Sequence, residues 1–272
     1  MKYYWGGQRM GLLRSLRERL RRDAGNRPVP GAVKRRGELA YSFIQQGECL
    51  AAREQLLKAL EQRNEIGDVA VLNWLLGLLA QTWTLTEQYR DGTEFFSKYL
   101  KLNPNHVRAY TLRAGSLWYS GELRQSIDDY STALELDPNE IFAHMGRGQV
   151  LAECGEYGRA IKDLDFVHES LEQNTTLDPL WRTQIQAYSF NGRAVAHAGL
   201  GDFERSMAEF DRSISLCPEN AWVYFNRAMV YEKKGCLAKA KSDYTLSLQK
   251  TMPKLSVLKR KYAEFKVRTI EL

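Results

Sequence analysis

The chain has 272 residues, 44% hydrophobic and 26% charged, with a formal net charge of +6. That is an ordinary globular composition, large enough to bury one or two cores. The longest apolar run, residues 69–80 (VAVLNWLLGLLA), has 12 residues with Asn73 inside it, too short for a membrane span of about 20 residues.

The charge is unevenly spread. Residues 1–36 carry 11 Lys/Arg against 2 Asp/Glu, residues 254–272 carry 6 against 2, and the body between them carries 22 against 29. Within the first basic end, residues 9–22 (RMGLLRSLRERLRR) place Leu13, Leu16 and Leu20 on one helical face, with Arg14, Arg17, Arg21 and Arg22 around it. This is a basic amphipathic helix. It fits an anionic membrane surface, nucleic-acid phosphates, an organellar transit segment, or a cap docked on the acidic body. Pro28, Pro30 and Gly31 then mark a linker, and Lys34, Arg35 and Arg36 extend the basic stretch.

From residue 33 onward the apolar spacing of three and four predicts helices, and it repeats. Pro104 and Pro138 lie 34 apart, and Pro138 and Pro218 lie 80 apart. Ala40, Ala80, Ala114, Gly148, Ala194 and Ala228 form a column of small residues. Ala52, Gly92, Ser126, Ala160, Ser206 and Ala240 form a second. Leu56, Phe96, Tyr130, Leu164, Phe210 and Tyr244 form a column of large ones. All three step by 40, 34, 34, 46 and 34, so two insertions of 6 and 12 residues account for every departure from 34. Small residues let paired helices approach closely, and the large residue packs between pairs. Gly47, Gly121, Gly155, Gly201 and Gly235 sit at the turn within each pair, where the backbone must turn left-handed; Glu87 stands at that place in the second pair. No hairpin buries its apolar face alone, so neighbours must stack.

The period, the helix–turn–helix reading and the closing proline resemble the tetratricopeptide repeat family, most closely in GELRQSIDDYSTALELDPN and GDFERSMAEFDRSISLCPEN. Six windows follow: 33–66, 73–106, 107–140, 141–174, 187–220 and 221–254. The implied fold is all-α, a right-handed α-solenoid of about six repeats with terminal cap helices. Residues 1–32 form the basic N-terminal segment and linker, 33–254 the solenoid, and 255–272 a C-terminal cap helix. Asp68, and Asp178 with Pro179, read as helix starts, so each insertion should lengthen the following first helix by one or two turns.

Arg113, Arg147, Arg193 and Arg227 are each followed sixteen residues later by an acid: Asp129, Asp163, Glu209 and Asp243. The first two windows have Leu39 with Gln55 and Leu79 with Phe95, so both partners are missing together. This predicts an Arg–carboxylate ladder within hairpins or to the next one. Of the four histidines, His144 and His197 fall on first-helix faces, and His106 and His168 are isolated. No metal-ligand spacing, phosphate loop or nucleophile elbow is present. We therefore expect no enzyme, cofactor, metal or small-molecule substrate. Cys49, Cys154, Cys217 and Cys236 are scattered, which fits free thiols and a cytoplasmic location.

First helices line the concave side of such a stack. Trp74, Arg108, Phe142, Tyr188 and Trp222 share the second place of their windows, and Trp118, Asn191, Phe225 and Asn226 lie nearby. The resemblance implies recognition of a peptide or helix there. Aromatics supply contact area at low entropy cost, and Asn can bond an extended backbone. The competing readings are packing between hairpins, or a terminal segment filling the groove. In the last segment, Leu255, Leu258, Tyr262 and Phe265 make one stripe, with Lys259, Arg260, Lys261 and Lys266 outside it, the pattern of a solvating cap. The expected function is a non-catalytic scaffold or adaptor binding a protein partner. The alternative is an assembly or tethering factor that uses its basic ends on nucleic acid or an anionic membrane.

Overall fold

The computed structural model describes residues 31–62, 66, 68–173, 177–250, 255 and 257–270. The basic helix expected at 9–22, with Arg14, Arg17, Arg21 and Arg22, lies outside the described residues. Among those described there are thirteen helices and no strand, and no helix is long and apolar enough to cross a membrane.

The chain divides into two compact units, residues 1–137 and 138–272. The first holds three hairpins: α1 (Gly31–Gln46) with α2 (Cys49–Glu61), α3 (Val69–Leu85) with α4 (Tyr89–Leu102), and α5 (Val107–Ser120) with α6 (Leu123–Leu136). The second holds α7 (Ile141–Glu153) with α8 (Tyr157–Gln173), α9 (Pro179–Gly199) with α10 (Phe203–Leu216), α11 (Ala221–Lys233) with α12 (Leu237–Gln249), and a final α13 (Val257–Thr269). Within each unit the first helices of successive hairpins touch, and each second helix also touches the next first helix. Each unit is thus a short α-solenoid.

The repeat columns explain the close approach. Ala40, Ala52, Ala114, Ala160, Ala194, Ala228 and Ala240 are fully buried. A Cβ on Gly148 would lie 2.7 Å from Leu164 Cγ and 3.2 Å from the Ala160 carbonyl oxygen, so only glycine fits there. Leu56, Phe96, Leu164, Phe210 and Tyr244 are completely enclosed, and Tyr130 is buried. The second hairpin departs from the pattern. Ala80 is only half-buried, because Trp83 takes the space between α3 and α4, 5.2 Å from Phe95 and 5.8 Å from Phe96. Gly92 accommodates this wedge: a Cβ there would lie 3.2 Å from the Trp83 ring.

Turns and insertions follow local chemistry. The five turn glycines have φ of 76 to 89°. Glu87, with φ 59°, is the one non-glycine residue with positive φ among the described residues, a conformation that costs about 1 kcal/mol for a residue with a Cβ. Asp68 accepts hydrogen bonds from the Ala70 and Val71 amides, and Asp178 from those of Leu180 and Trp181, with Pro179 in the first turn. The six-residue insertion gives α3 17 residues, about one turn beyond the 14 of α5. The twelve-residue insertion is shared: α9 grows to 21 residues, and α8 also reaches 17.

The ladder is present. Arg113 binds Asp129 through Nε and Nη2, both at 2.6 Å. Arg147 binds Asp163 at 2.7 and 2.8 Å, and Arg227 binds Asp243 at 2.7 and 3.0 Å. Arg193 binds Glu209. Three rungs also reach back to the preceding hairpin, Arg113 to Ser97 at 3.2 Å, and Arg193 to Asp165 and Arg227 to Asp211, each at 2.9 Å. Where the ladder is missing, other arginines link the helices. Arg36 donates to Gln55 at 2.9 Å, and Arg53 donates to Thr82 and Thr86 at 3.2 and 3.0 Å.

Candidate functional site

In the unit of residues 1–137, the first-helix residues singled out by sequence have different fates. Trp74 is a packing residue: its ring would stand 2.3 Å from a Cβ on Gly37, so α3 leans on α1 through this side chain. Arg108 is half-buried. Its charge acts on the Tyr130 hydroxyl, whose pKa is raised mainly by burial, with Arg108 opposing. Trp118 is half-buried beside Tyr119, at 5.6 Å, and Tyr119 stacks on Tyr89 at 5.2 Å. Arg35 is exposed on α1, Lys34 is half-buried, and Arg36 is engaged with Gln55.

The unit of residues 138–272 is more informative. Phe142 meets Trp181 edge-on at 6.3 Å, across from the extended first turn of α9. Tyr188 is half-buried, and its carbonyl accepts from Gln149 at 3.1 Å. The two asparagines expected to grip a ligand backbone bond each other instead: Asn226 Nδ2 donates to Asn191 Oδ1 at 3.2 Å, tying α11 to α9. Trp222 and Phe225 are buried, at 7% and 3% exposure, because α13 covers them.

The orientation of α13 departs in part from the stripe read from sequence: Leu255 is buried and the Tyr262 ring meets Phe225 and Tyr244 at 6.0 and 6.1 Å, but Phe265 turns outward. Leu255, Ala263 and Ile270 are buried, while Tyr262 is 40% and Phe265 58% exposed. Lys259, expected outside, turns inward. Its Nζ lies 3.9 Å from the Trp222 ring centroid, 5.9 Å from that of Phe225, and 2.6 Å from Glu153 Oε1. Lys266 binds Glu232 on α11, and Lys241 on α12 donates to the Ile270 carbonyl at 3.0 Å. Burial lowers the Lys259 pKa against the raising effect of Glu153. The hydrogen bond to Glu232 raises that of Lys266. Glu153 and Glu232, on the first helices, give the two lysines ion-pair partners that the pattern of α13 alone does not show. The sequence pattern does not single out Glu153 and Glu232. Their signal is their shared place in the last turn of α7 and α11, the mouth of an otherwise aromatic face.

His144 and His168 are structural neighbours of the ladder. His144 Nδ1 is 2.9 Å from Asp163 Oδ1, and Nε2 is 3.0 Å from the Pro138 carbonyl. Burial pushes the Asp163 pKa up, but the hydrogen bonds from Arg147 and His144 outweigh it and hold it low. His106 caps α5 by accepting from the Ala109 amide at 3.2 Å, and burial lowers its pKa. His168 lies against Phe190 at 4.4 Å. Burial, with help from Arg193 and Arg212 against Asp165, pushes its pKa down to about 4.

A histidine depressed in the fold is neutral there, whereas the unfolded chain takes up its proton near pH 6.5. The stability it contributes is complete above pH 6.5 and is lost as pH falls toward 4. The Asp163 contribution is lost only below about pH 4, where an unfolded carboxyl begins to protonate. His168→Leu should therefore reduce the fall in Tm between pH 7.5 and pH 5 by several degrees, measured by circular dichroism. An unchanged fall would mean that His168 does not titrate in this range.

Among the described residues, no group of three or more His, Cys, Asp or Glu is placed to hold a metal ion. Tetratricopeptide repeat models match residues 111–165, 187–220 and 209–242. No curated protein sequence matches the chain. Among solved structures, a tetratricopeptide repeat protein from Parabacteroides merdae is similar at 19% identity and TM-score 0.55, covering 89% of this chain and 94% of that one. A chain of the APC/C hetero-tetramer Cut9–Hcn1 is similar at 11% identity and TM-score 0.65, covering 88% and 43%. A thermophilic repeat protein of Thermus thermophilus is similar at 16% identity and TM-score 0.53, covering 73% and 98%. At these identities the likeness is one of fold.

Proposed function

The chain is a tetratricopeptide repeat protein, and from that premise we propose that it is a non-catalytic scaffold that binds a peptide or helix of a partner protein on its first-helix faces. Repeats of this kind mediate protein–protein interaction, which gives the general role. The single observation that carries the finer reading is that one such face is occupied by a helix. α13 lies on the face of residues 138–272 through Trp222, Phe225, Glu153 and Glu232. A face that seats one helix through aromatic and acidic contacts has the chemistry to seat another. Phe142 and Tyr188, half-buried on the same row of first helices, supply the remaining aromatic contact area. Asn191 and Asn226 tie α11 to α9 in the same unit, and Trp74 packs α3 on α1 in the unit of residues 1–137.

The test is affinity capture with wild type beside Phe142→Ala/Tyr188→Ala, at low and high salt. Aromatic anchors at an interface contribute about 2 kcal/mol or more each, so the double variant should retain less than a tenth of the specific partner at both salt levels. A partner recovered equally by both proteins would overturn the assignment. A partner released by salt alone would instead point to the basic ends.

A further inference from the structure

We propose that Glu153, Trp222 and Phe225 form a socket that reads a lysine presented on an amphipathic helix, that α13 fills this socket in cis through Lys259, and that a basic helix of a partner gains access by displacing α13. This rests on the scaffold reading above and adds to it the chemistry of the ligand and the control of the site.

The socket is built for a compact cation. The Lys259 ammonium stands over the face of Trp222 at 3.9 Å, near Phe225, and pairs with Glu153 at 2.6 Å. The ring quadrupole and the carboxylate both attract it, and both effects strengthen away from water. Side-chain exposure is only 22% for Lys259 and 26% for Glu153. An ammonium is a point charge on a flexible stem and enters such a space end-on, whereas a planar guanidinium needs a wider one.

A helix whose only task is to shield the last hairpin would turn its apolar stripe inward. α13 does so only in part: Tyr262 packs on Phe225 and Tyr244, but Phe265 is 58% exposed while Lys259 is turned toward the face. Its described apolar footing is Ala263, Ile270 and the Tyr262 ring on Phe225 and Tyr244, preceded by Leu255. Its polar links include the Glu153 and Glu232 ion pairs and the bond from Lys241 to the Ile270 carbonyl. Such a helix is held by charge and by its tether as well as by apolar contact. The tether supplies an effective concentration that a free helix must exceed, and a closed cis complex lowers apparent affinity by the fraction of open molecules.

The probe is a fluorescent peptide of residues 257–270, titrated by anisotropy into the full chain. Three forms are compared: wild type, the opened form Lys259→Glu/Lys266→Glu, and the opened form carrying Glu153→Lys as well. Circular dichroism confirms that each is folded, and Lys259→Gln serves as a milder opening change. The opened form should bind at least tenfold more tightly than wild type. Adding Glu153→Lys should lose at least tenfold, as should changing the peptide's own lysine at position 259 to glutamine. Equal binding by all three proteins, no binding by the opened forms, or tolerance of the neutral peptide would each overturn the proposal. Wild-type dimers that form with concentration and lose peptide binding would also overturn it, because the occupant would then be α13 of a second copy. If the Phe142/Tyr188 variant loses its partner while the peptide titration is flat, the scaffold reading stands and the lysine socket falls. The converse result separates them the other way.

Discussion

Replacing Arg227 by methionine is expected to cost about 3–5 kcal/mol, close to the whole stability of many domains of this size. The loss comes from what is left behind. Asp243 is 4% exposed, and Arg227 Nε and Nη2 engage both of its oxygens. Methionine keeps the stem but strands a carboxylate that is buried away from water. The bond from Arg227 to Asp211 contributes little, since Asp211 is 72% exposed and such pairs give about 0–1 kcal/mol. Burial pulls the Arg227 pKa down, but hydrogen bonding to Asp243 and the nearby negative charge outweigh it and keep it raised. Arg227→Met/Asp243→Leu removes both charges and should recover most of the loss, because a buried ion pair is often matched by apolar residues of similar size. In a stacked fold each hairpin contacts only its neighbours. The damage should therefore appear in urea as an early transition of the last hairpin and α13. If single and double variants unfold together, or the single costs under about 1 kcal/mol, the rung is not a structural element.

That rung is legible in the sequence because repetition multiplies weak signals. One arginine sixteen residues before an acid means nothing. Four of them, absent together with their acids in the first two windows, identify the partners, while the choice between bonds within a hairpin and bonds to the next is made by the fold. The turn glycines and the caps at Asp68 and Asp178 are legible for a different reason: each has a local backbone requirement that few residues meet. What escapes depends on three-dimensional neighbours. The Ala80 column predicts close packing, but Trp83 from the same helix occupies the gap. The Asn191 and Asn226 amides have the chemistry of ligand grips, yet they sit one repeat apart and find each other. The period of α13 identifies a helix with two faces, and pattern alone turns the apolar one inward. The acids that pair with its lysines, Glu153 and Glu232, stand 106 and 34 residues before them. Periodicity says which residues share a face; it does not say what covers that face.

Trp222→Ala should therefore behave as a core substitution, with a loss of about 3–5 kcal/mol, although its place in the repeat marks it as a groove residue. Trp222 is 7% exposed, with Lys259 on one face of its ring, and the same Lys259 ammonium lies 5.9 Å from the Phe225 ring. Removing Trp222 takes away the socket wall and the ring on which Lys259 of α13 rests. Trp222→Phe keeps an aromatic face for the ammonium and should cost roughly half as much or less. Tyr188→Ala, at a half-buried position, should be milder still. Thermal unfolding orders the three, and hydrogen exchange locates the effect. Amides of α13 should lose protection in Trp222→Ala while those of α7 keep theirs, since Lys259 of α13 rests on that ring and α7 packs on α8 without it. Loss of partner binding in Trp222→Ala would then report a disordered face rather than a lost contact, which is why Phe142 and Tyr188 are the positions that probe recognition. A Trp222→Ala protein with unchanged Tm and a protected α13 would show that the ring is dispensable to the fold and return it to the open groove.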